Sequence, residues 1–383
     1  MRLGPRDQGL TAESESHVTL RVVHAAGQLR ASSGIERQML WEQEAVDALE
    51  LKWTSMLIRP RGVSNPGSRV LHEIDLRDPG HDLRTWVAFR RRFYALLASI
   101  DPAPDILLLR HSFHDPYQAR FIAEHPNVVT VHHTIEDAEI LALGGRAAWL
   151  KRALESRFGA RSLGRAAGIA ALTPEILDHE RSRCVDLSPP TFVYPNGRLL
   201  DDVPLVDRRE ETRMVFVASE FAPWQGLEGL LDRLAASTID VALDVIGSLS
   251  AEQARRCARD ARVRVHGLLD NEALGEVLAA ATVGIAALRA DGKGLTQACS
   301  LKVRDYLAAG VPVVSGHDDV FPDDFPFYRR TGTDIDAMLA AAREWRGVDR
   351  VTVREAARPH IDKVELVRRL HEELVAAFAS AEG

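Results

Sequence analysis

The stretch GKGLTQACSLKVRDYLAAGVPVVSG, Gly292 to Gly316, decides the fold. Its second half carries the pattern of a short helix from about Leu301 to Ala309, closed by Gly310 as a left-handed cap. Pro312 then belongs to a β-branched strand, Val311 to Ser315. A helix that opens just after a Gly/Ser/Thr-rich loop presents unpaired backbone N–H groups and the positive end of its dipole, a setting that favours phosphate. Asp305 lies one turn in, on the face of Leu301 and near Lys302, so amides, an ammonium and a carboxylate converge. Such a combination suits a nucleoside diphosphate with its ribose.

Outward from this motif the strand and helix signals alternate. Strands are predicted near Met214 to Ala218, Val241 to Ile246, Val263 to Val265 and Val283 to Ala287. Helices are predicted near Leu227 to Ala236, Ala251 to Asp260 and Asn271 to Ala281. A similar alternation fills the N-terminal half. It begins with a strand over His17 to Ala25, a loop Gly27 to Gly34 and a helix from Ile35 to about Leu49, and continues with strands near Ser55 to Ile58, Arg69 to Ile74, Asp105 to Leu109, Val128 to His132, Gly168 to Leu172 and Thr191 to Tyr194. Alternation of this kind means βαβ units and a mainly parallel sheet, and it occurs twice. The expected fold class is α/β, two Rossmann-like doubly wound domains facing a cleft. The expected division is a flexible tail over 1–16, a first domain over 17–205, a second over 206–362, and a terminal helix over 363–383 that returns to the first domain.

At 383 residues two cores are expected rather than one. The net charge of −7 argues against a general nucleic-acid binder. Cys184, Cys257 and Cys299 form no CxxC pair, which fits a reducing compartment. The N-terminal residues lack the apolar run of a signal peptide, and no run approaches the roughly 20 residues of a membrane span. A cytoplasmic protein is expected, with peripheral contact at the inner membrane face allowed by the basic, apolar-spaced segment Trp149 to Arg165.

LKVRDYLAAGVPVV resembles the donor-site signature of the GT-B glycosyltransferases, in particular the large retaining group called family 4. The resemblance is strong from about Arg213 to Ser315 and looser before it. It implies a metal-independent transfer of a sugar, with retention, from a nucleotide-diphosphate donor to a glycan, lipid-linked or other hydroxyl acceptor, as in bacterial surface polysaccharide or glycoconjugate biosynthesis. The nucleotide sugar is then a co-substrate and no cofactor is implied. Members carry two glutamates with seven residues between them, one near the sugar and one on the ribose; this chain has Gln297 and Asp305 there. They usually place an arginine and a lysine after the first strand of the second domain; here Ser219 and Gln225 stand at those positions, and neither is cationic. Gly226 opens the next helix, and Lys302 and Lys293 are the candidates for the missing charge. His266 and Leu268 flank the turn that lies against the nucleobase in members. His132 and His133 end a strand at the edge facing the cleft, where members often hold a histidine near the reacting sugar.

Gly34, in the loop after the first strand, lets backbone approach a ligand, with Ser33 as a possible helix cap. Arg110 and His111 follow another strand and are candidates for acceptor contact. His111, His114, His132 and His133 match no zinc spacing, and Asp334-Ile335-Asp336 sits at a helix start where capping explains it, so no metal is expected. His317 to Tyr328 is acidic and aromatic, either a lid or a loop pinned by its phenylalanines. The departures at Gln297, Ser219 and Gln225 leave a second reading open, a non-catalytic GT-B subunit that binds nucleotide or glycan and scaffolds an active partner. A third is a nucleotide-sugar epimerase.

Overall fold

The computed structural model describes residues 20–63, 68–76, 83–143, 148–184, 189–289 and 295–379. Lys293 and the glycines beside it lie outside these residues. The chain forms two parallel sheets. The first contains β1 (Val22–Gly27), β2 (Trp53–Pro60), β3 (Leu71–Ile74), β4 (Ile106–Arg110), β5 (Val128–His132), β6 (Gly168–Ala171) and β7 (Thr191–Val193), in the order β3-β2-β1-β4-β5-β6-β7. The second contains β8 (Arg213–Glu220), β9 (Ala242–Ser248), β10 (Val263–Gly267), β11 (Val283–Ile285), β12 (Val313–Ser315) and β13 (Tyr328–Arg330), in the order β10-β9-β8-β11-β12-β13. Both orders reverse direction beside their first strand, at β1/β4 and at β8/β11, which is the doubly wound plan with a ligand crevice at the strands' carboxyl ends.

Strands such as ILLLR and VVTVH are apolar runs rather than alternations because helices cover both faces of each sheet. On the first sheet these are α1 (Ser33–Ala48), α2 (Leu83–Ala98), α3 (Pro116–Glu124), α4 (Glu136–Leu143), α5 (Ala148–Leu163) and α6 (Pro174–Ser182). On the second they are α7 (Leu227–Ala235), α8 (Ala251–Cys257), α9 (Asn271–Ala280), α10 (Leu301–Ala308), α11 (Ile335–Trp345) and α12 (Arg350–Ile361). The last helix, α13 (Lys363–Phe378), follows α12 directly and inserts Leu366, Val367, Leu370 and Leu374 among Val22, Val46, Trp53 and Tyr194 of the first core. Each such side chain contributes about 1.5–3 kcal/mol when fully buried, so the return of the chain to its first domain is a packing requirement of those apolar residues.

The deciding motif folds largely as read. Gly310 has φ +70°, and a β-carbon there would come within 2.5 Å of Arg350, so the turn from α10 toward β12 needs glycine. Helix α1 begins at Ser33, not Ile35, and Ser32 occupies the cap without a side-chain hydrogen bond, so Ser33 is not the cap. Strand β1 runs on to Gly27, where a β-carbon would meet the Phe93 ring at 2.8 Å. Asp334 caps α11 by accepting from the N–H groups of Asp336 and Ala337. The acidic segment after His317 is anchored to the core at three points, while Asp318, Asp323 and Asp324 stay exposed: Asp319 is buried in a two-pronged pair with Arg304, at 2.6 and 2.7 Å, and Phe325 and Phe327 are buried. No helix among the described residues is long and apolar enough to cross a membrane.

Candidate functional site

Two cavities lie along one face of α10. The larger, about 460 Å³, is bordered by Ser32, Gly34 and Gln38 from the start of α1, by Arg110 and His133 after β4 and β5, and by Gln297 to Leu301 of the second domain. It therefore occupies the β1/β4 switch point of the first sheet, roofed by the N-terminus of α10. The smaller, about 310 Å³, is bordered by Asp305 and Ala309 further along α10, by Arg37 and Arg198, and by α9. Gly34 closes the gap between α1 and α10: a β-carbon there would stand 3.2 Å from Leu301.

Strand neighbours face opposite sides, and this separates the two histidines that end β5. His133 borders the larger cavity and makes a short contact with Arg110. Burial and the Arg110 charge keep His133 neutral, well below the usual histidine range, while burial lowers Arg110 to about 9. His132 points the other way, into a fully buried cluster with His111 and His114. His132 is thus not at the reacting face, and His111 is not at an acceptor surface: both side chains are turned beneath the cavity floor, and only their neighbours Arg110 and His133 reach it.

Gln297 borders the larger cavity, but its carboxamide oxygen accepts from the Glu175 N–H at 3.1 Å, and its own N–H donates to the Glu175 carboxylate at 2.7 Å. It joins the second domain to the start of α6. Asn196 makes a parallel link, its side-chain amide donating to the Cys299 carbonyl at 2.7 Å. Asp305 is turned to the smaller cavity, 3.3 Å from Arg198, and burial pushes its carboxyl up against the pull of Arg198 and Arg37. Arg198 also lies over the Trp41 ring at 4.2 Å. Gln297 and Asp305 therefore open to adjacent cavities rather than to a single one.

Lys302, next to Leu301, points away from these cavities toward the β8/β11 switch point. Its ammonium donates to Gln225 Oε1 at 2.7 Å and lies 5.2 Å from the centre of the Phe216 ring. Among the described residues no carboxylate pairs with it, and burial alone pulls its pKa down to about 7. Gln225 closes a short 3-10 turn, Pro223–Gln225, and Gly226 follows at φ +78° against Leu288, opening α7. Ser219, at the end of β8, is exposed. The N-terminus of α10 is also unclaimed: Ser300 occupies its cap without a side-chain hydrogen bond, and its buried hydroxyl has no partner. His266 is tied to Asp244 at 2.7 Å, and Leu268 projects from the same turn, 73% exposed.

Several residues that build this region are not among those singled out in the sequence. Glu175 and Glu180 on α6, Glu155 on α5, and Asn196 and Arg198 after β7 carry no motif of their own, and only the tertiary fold brings them to the site.

Residues 211–324 match the family model of the group 1 glycosyl transferases. No curated protein matches the chain by sequence. Among solved structures, the apo lipopolysaccharide outer core galactosyltransferase WaaB is similar at TM-score 0.63 and 13% identity, over 93% of this chain and 99% of that one. HepE of Anabaena, solved with UDP and glucose, is similar at TM-score 0.63 and 12% identity, over 93% and 100%. An alpha-glucosyltransferase solved with UDP-glucose and DNA containing an abasic site is similar at TM-score 0.61 and 10% identity, over 92% and 99%. At such identities the likeness establishes the architecture, and with the sheet orders above it makes this chain a GT-B fold protein whose second domain resembles the group 1 glycosyl transferases.

Proposed function

We propose that the protein is a glycosyltransferase that moves a sugar from a nucleoside diphosphate donor to a hydroxyl of a glycan or lipid-linked acceptor, with retention, in bacterial surface polysaccharide or glycoconjugate assembly. The observation that carries this reading is Lys302, a cation held at the β8/β11 crevice by a neutral carboxamide, beside an uncapped helix N-terminus. A cation withdrawn from water without an anion is costly, and a diphosphate arriving there would restore its charge and satisfy the α10 amides.

In this reading the diphosphate lies between Lys302, Ser300 and the turn Gln225-Gly226. The sugar projects toward Gln297, and the nucleoside toward Asp305, His266 and Leu268. Arg110 and His133 form the acceptor side of the larger cavity. The bond from the anomeric carbon to the phosphate oxygen breaks, the bond to the acceptor oxygen forms on the same face, and the acceptor proton leaves with the diphosphate. Lys302 and the α10 amides meet the charge that develops on the leaving group, which is electrostatic preorganisation, so the transfer needs no metal at the diphosphate. Closure of α1 against α10 keeps water from the donor.

One observation favours a second reading, a non-catalytic subunit: the Gln297 carboxamide oxygen is already engaged with Glu175 and Gln225 with Lys302. Turnover separates the two. Incubation with a panel of UDP-, GDP-, dTDP- and ADP-linked sugars, followed by detection of released nucleoside diphosphate with and without acceptor glycans, is expected to yield product with one nucleotide class. Binding without release in every combination would favour the scaffold, and a changed sugar released without acceptor would favour an epimerase.

A further inference from the structure

Beneath the cavity floor, six ligand-type side chains from separate segments meet out of contact with solvent. His111 and His114 come from the turn between β4 and α3, His132 from the end of β5, and Glu136, Glu155 and Glu180 from α4, α5 and α6. None is more than 5% exposed. Buried polar atoms are normally hydrogen-bonded, yet here His111 Nε2, both ring nitrogens of His114, His132 Nδ1 and Glu136 Oε2 lack a partner.

Their spacing explains why. His111 Nε2 is 3.9 Å from Glu136 Oε1 and 3.5 Å from Glu155 Oε2. His132 Nδ1 is 3.5 Å from Glu136 Oε2 and 3.9 Å from Glu180 Oε1. These gaps are too long for good hydrogen bonds. They are close to the separation of about 3.4 Å between neighbouring ligands of a tetrahedral ion with bonds of about 2.1 Å. Three triads, His111/His114/His132, His111/Glu136/Glu155 and His132/Glu136/Glu180, each hold their ligand atoms within 4.8 Å of one another, and Glu136 offers one oxygen to each of the last two.

Charge points the same way. Arg183, at 2.7 Å from Glu155 and 2.9 Å from Glu180, pairs with two of the three carboxylates, and among the described residues no arginine or lysine pairs with Glu136. With all three carboxylates ionised, as ligation requires, two negative charges remain for a dication to balance. The outer nitrogens are held as ligating imidazoles require. His132 Nε2 meets Thr130 Oγ1 at 3.1 Å, so the tautomer with Nε2–H donates there and leaves the Nδ1 lone pair to the cluster, and the Gln118 carboxamide meets His111 Nδ1 at 2.9 Å. As placed, the carboxamide nitrogen faces Nδ1 while its oxygen accepts from Arg90 at 3.3 Å; turned over on binding, the oxygen would accept from Nδ1–H and leave the Nε2 lone pair to the cluster.

We propose that this cluster binds a divalent transition-metal ion of the kind that accepts mixed imidazole and carboxylate ligands, zinc, manganese or iron(II), with Glu136 as the shared ligand. The ion would tie β5 and the β4–α3 turn to α4, α5 and α6, fixing from below the segments that present Arg110 and His133 to the cavity. Spacing along the chain does not reveal the site because its ligands come from separate elements. The inference does not depend on the activity proposed above, since metal content is read without substrate.

The test uses the full chain without a histidine tag, expressed in metal-supplemented medium. Elemental analysis after desalting is expected to find about one equivalent or more of a transition metal in the wild type and in the control His125→Ala, and less than a tenth of that in Glu136→Gln. To keep the test independent of the variant's fold, chelator-treated wild type is titrated with cobalt(II) in parallel. Visible d–d absorption saturating at a fixed stoichiometry, with a rise in melting temperature, supports the site. Substoichiometric metal in the wild type together with no cobalt spectrum and no change in melting on chelation would overturn it.

Discussion

Two cations two residues apart on α10 lead opposite lives. Arg304 is wholly buried and answered by Asp319 in a two-pronged pair, whereas Lys302 has the Gln225 carboxamide and the Phe216 ring but, among the described residues, no carboxylate. The first domain repeats the contrast with carboxylates. Glu42 accepts from Ser55 Oγ at 2.7 Å, Tyr194 at 2.7 Å and Trp53 at 3.2 Å, and meets His24 at 2.8 Å. Glu136 leaves an oxygen with no partner. Buried polar groups that are fully answered hold the fold; those left short mark where something from outside is received.

Breaking the answered pair should have the largest effect. Arg304→Ala strands Asp319 in the core and is expected to cost about 3–5 kcal/mol in urea unfolding. Lys302→Met should do the reverse to the fold while removing function. It removes a half-buried cation that no carboxylate answers, so stability rises by about 1 kcal/mol, while donor turnover falls by about 10²–10³-fold. A loss of both together would erase the distinction between the two cations.

Next comes the answered carboxylate. Burial raises the Glu42 pKa, but the His24 charge and hydrogen bond, Lys363 and Tyr194 outweigh it and hold it down at about 2. With the unfolded value near 4.5, this group stabilises the fold fully above pH 4.5, and the contribution fades as pH falls toward 2. Glu42→Gln is expected to cost about 2 kcal/mol at pH 7 and to flatten the acid limb between those values. Lys302 gives a slope of the same sign in a higher window, as a penalty relieved rather than a stabilisation gained. Its pKa of about 7 lies below the unfolded 10.5, so the unfolded chain binds more protons between them and stability rises with pH there. Donor affinity should fall over the same range, because a diphosphate must recover that proton. Smallest is Asp305→Asn, expected to weaken donor binding about tenfold, near 1.4 kcal/mol, with little change in the rate at saturation.

Much of the architecture was legible because it rests on local signals. The α10–β12 unit declares itself through its apolar spacing and Gly310, and the paired αβ alternations gave both sheets. Strand β13, the polar tripeptide Tyr328–Arg330, gives no such signal, since its place at the sheet edge is set by pairing with β12. Helix α12 was obscured by Pro359 in its last turn. At the site, alternation required that His132 and His133 face opposite ways but left open which one meets the cavity. Lys302 was legible from its motif; its lack of a counter-charge was not. The Arg304–Asp319 pair, the Asp305–Arg198 contact and the Glu136 cluster all join segments that only the tertiary fold brings together.

The most direct measurement is thermal stabilisation by the nucleotide-sugar panel, wild type beside Lys302→Met. At about 100 times Kd, one nucleotide class should add roughly 2.7 kcal/mol to the wild type and almost nothing to the variant, whose own melting temperature starts higher. Equal stabilisation of both proteins would show that Lys302 does not receive the diphosphate, and stabilisation of neither would remove the donor site from this crevice.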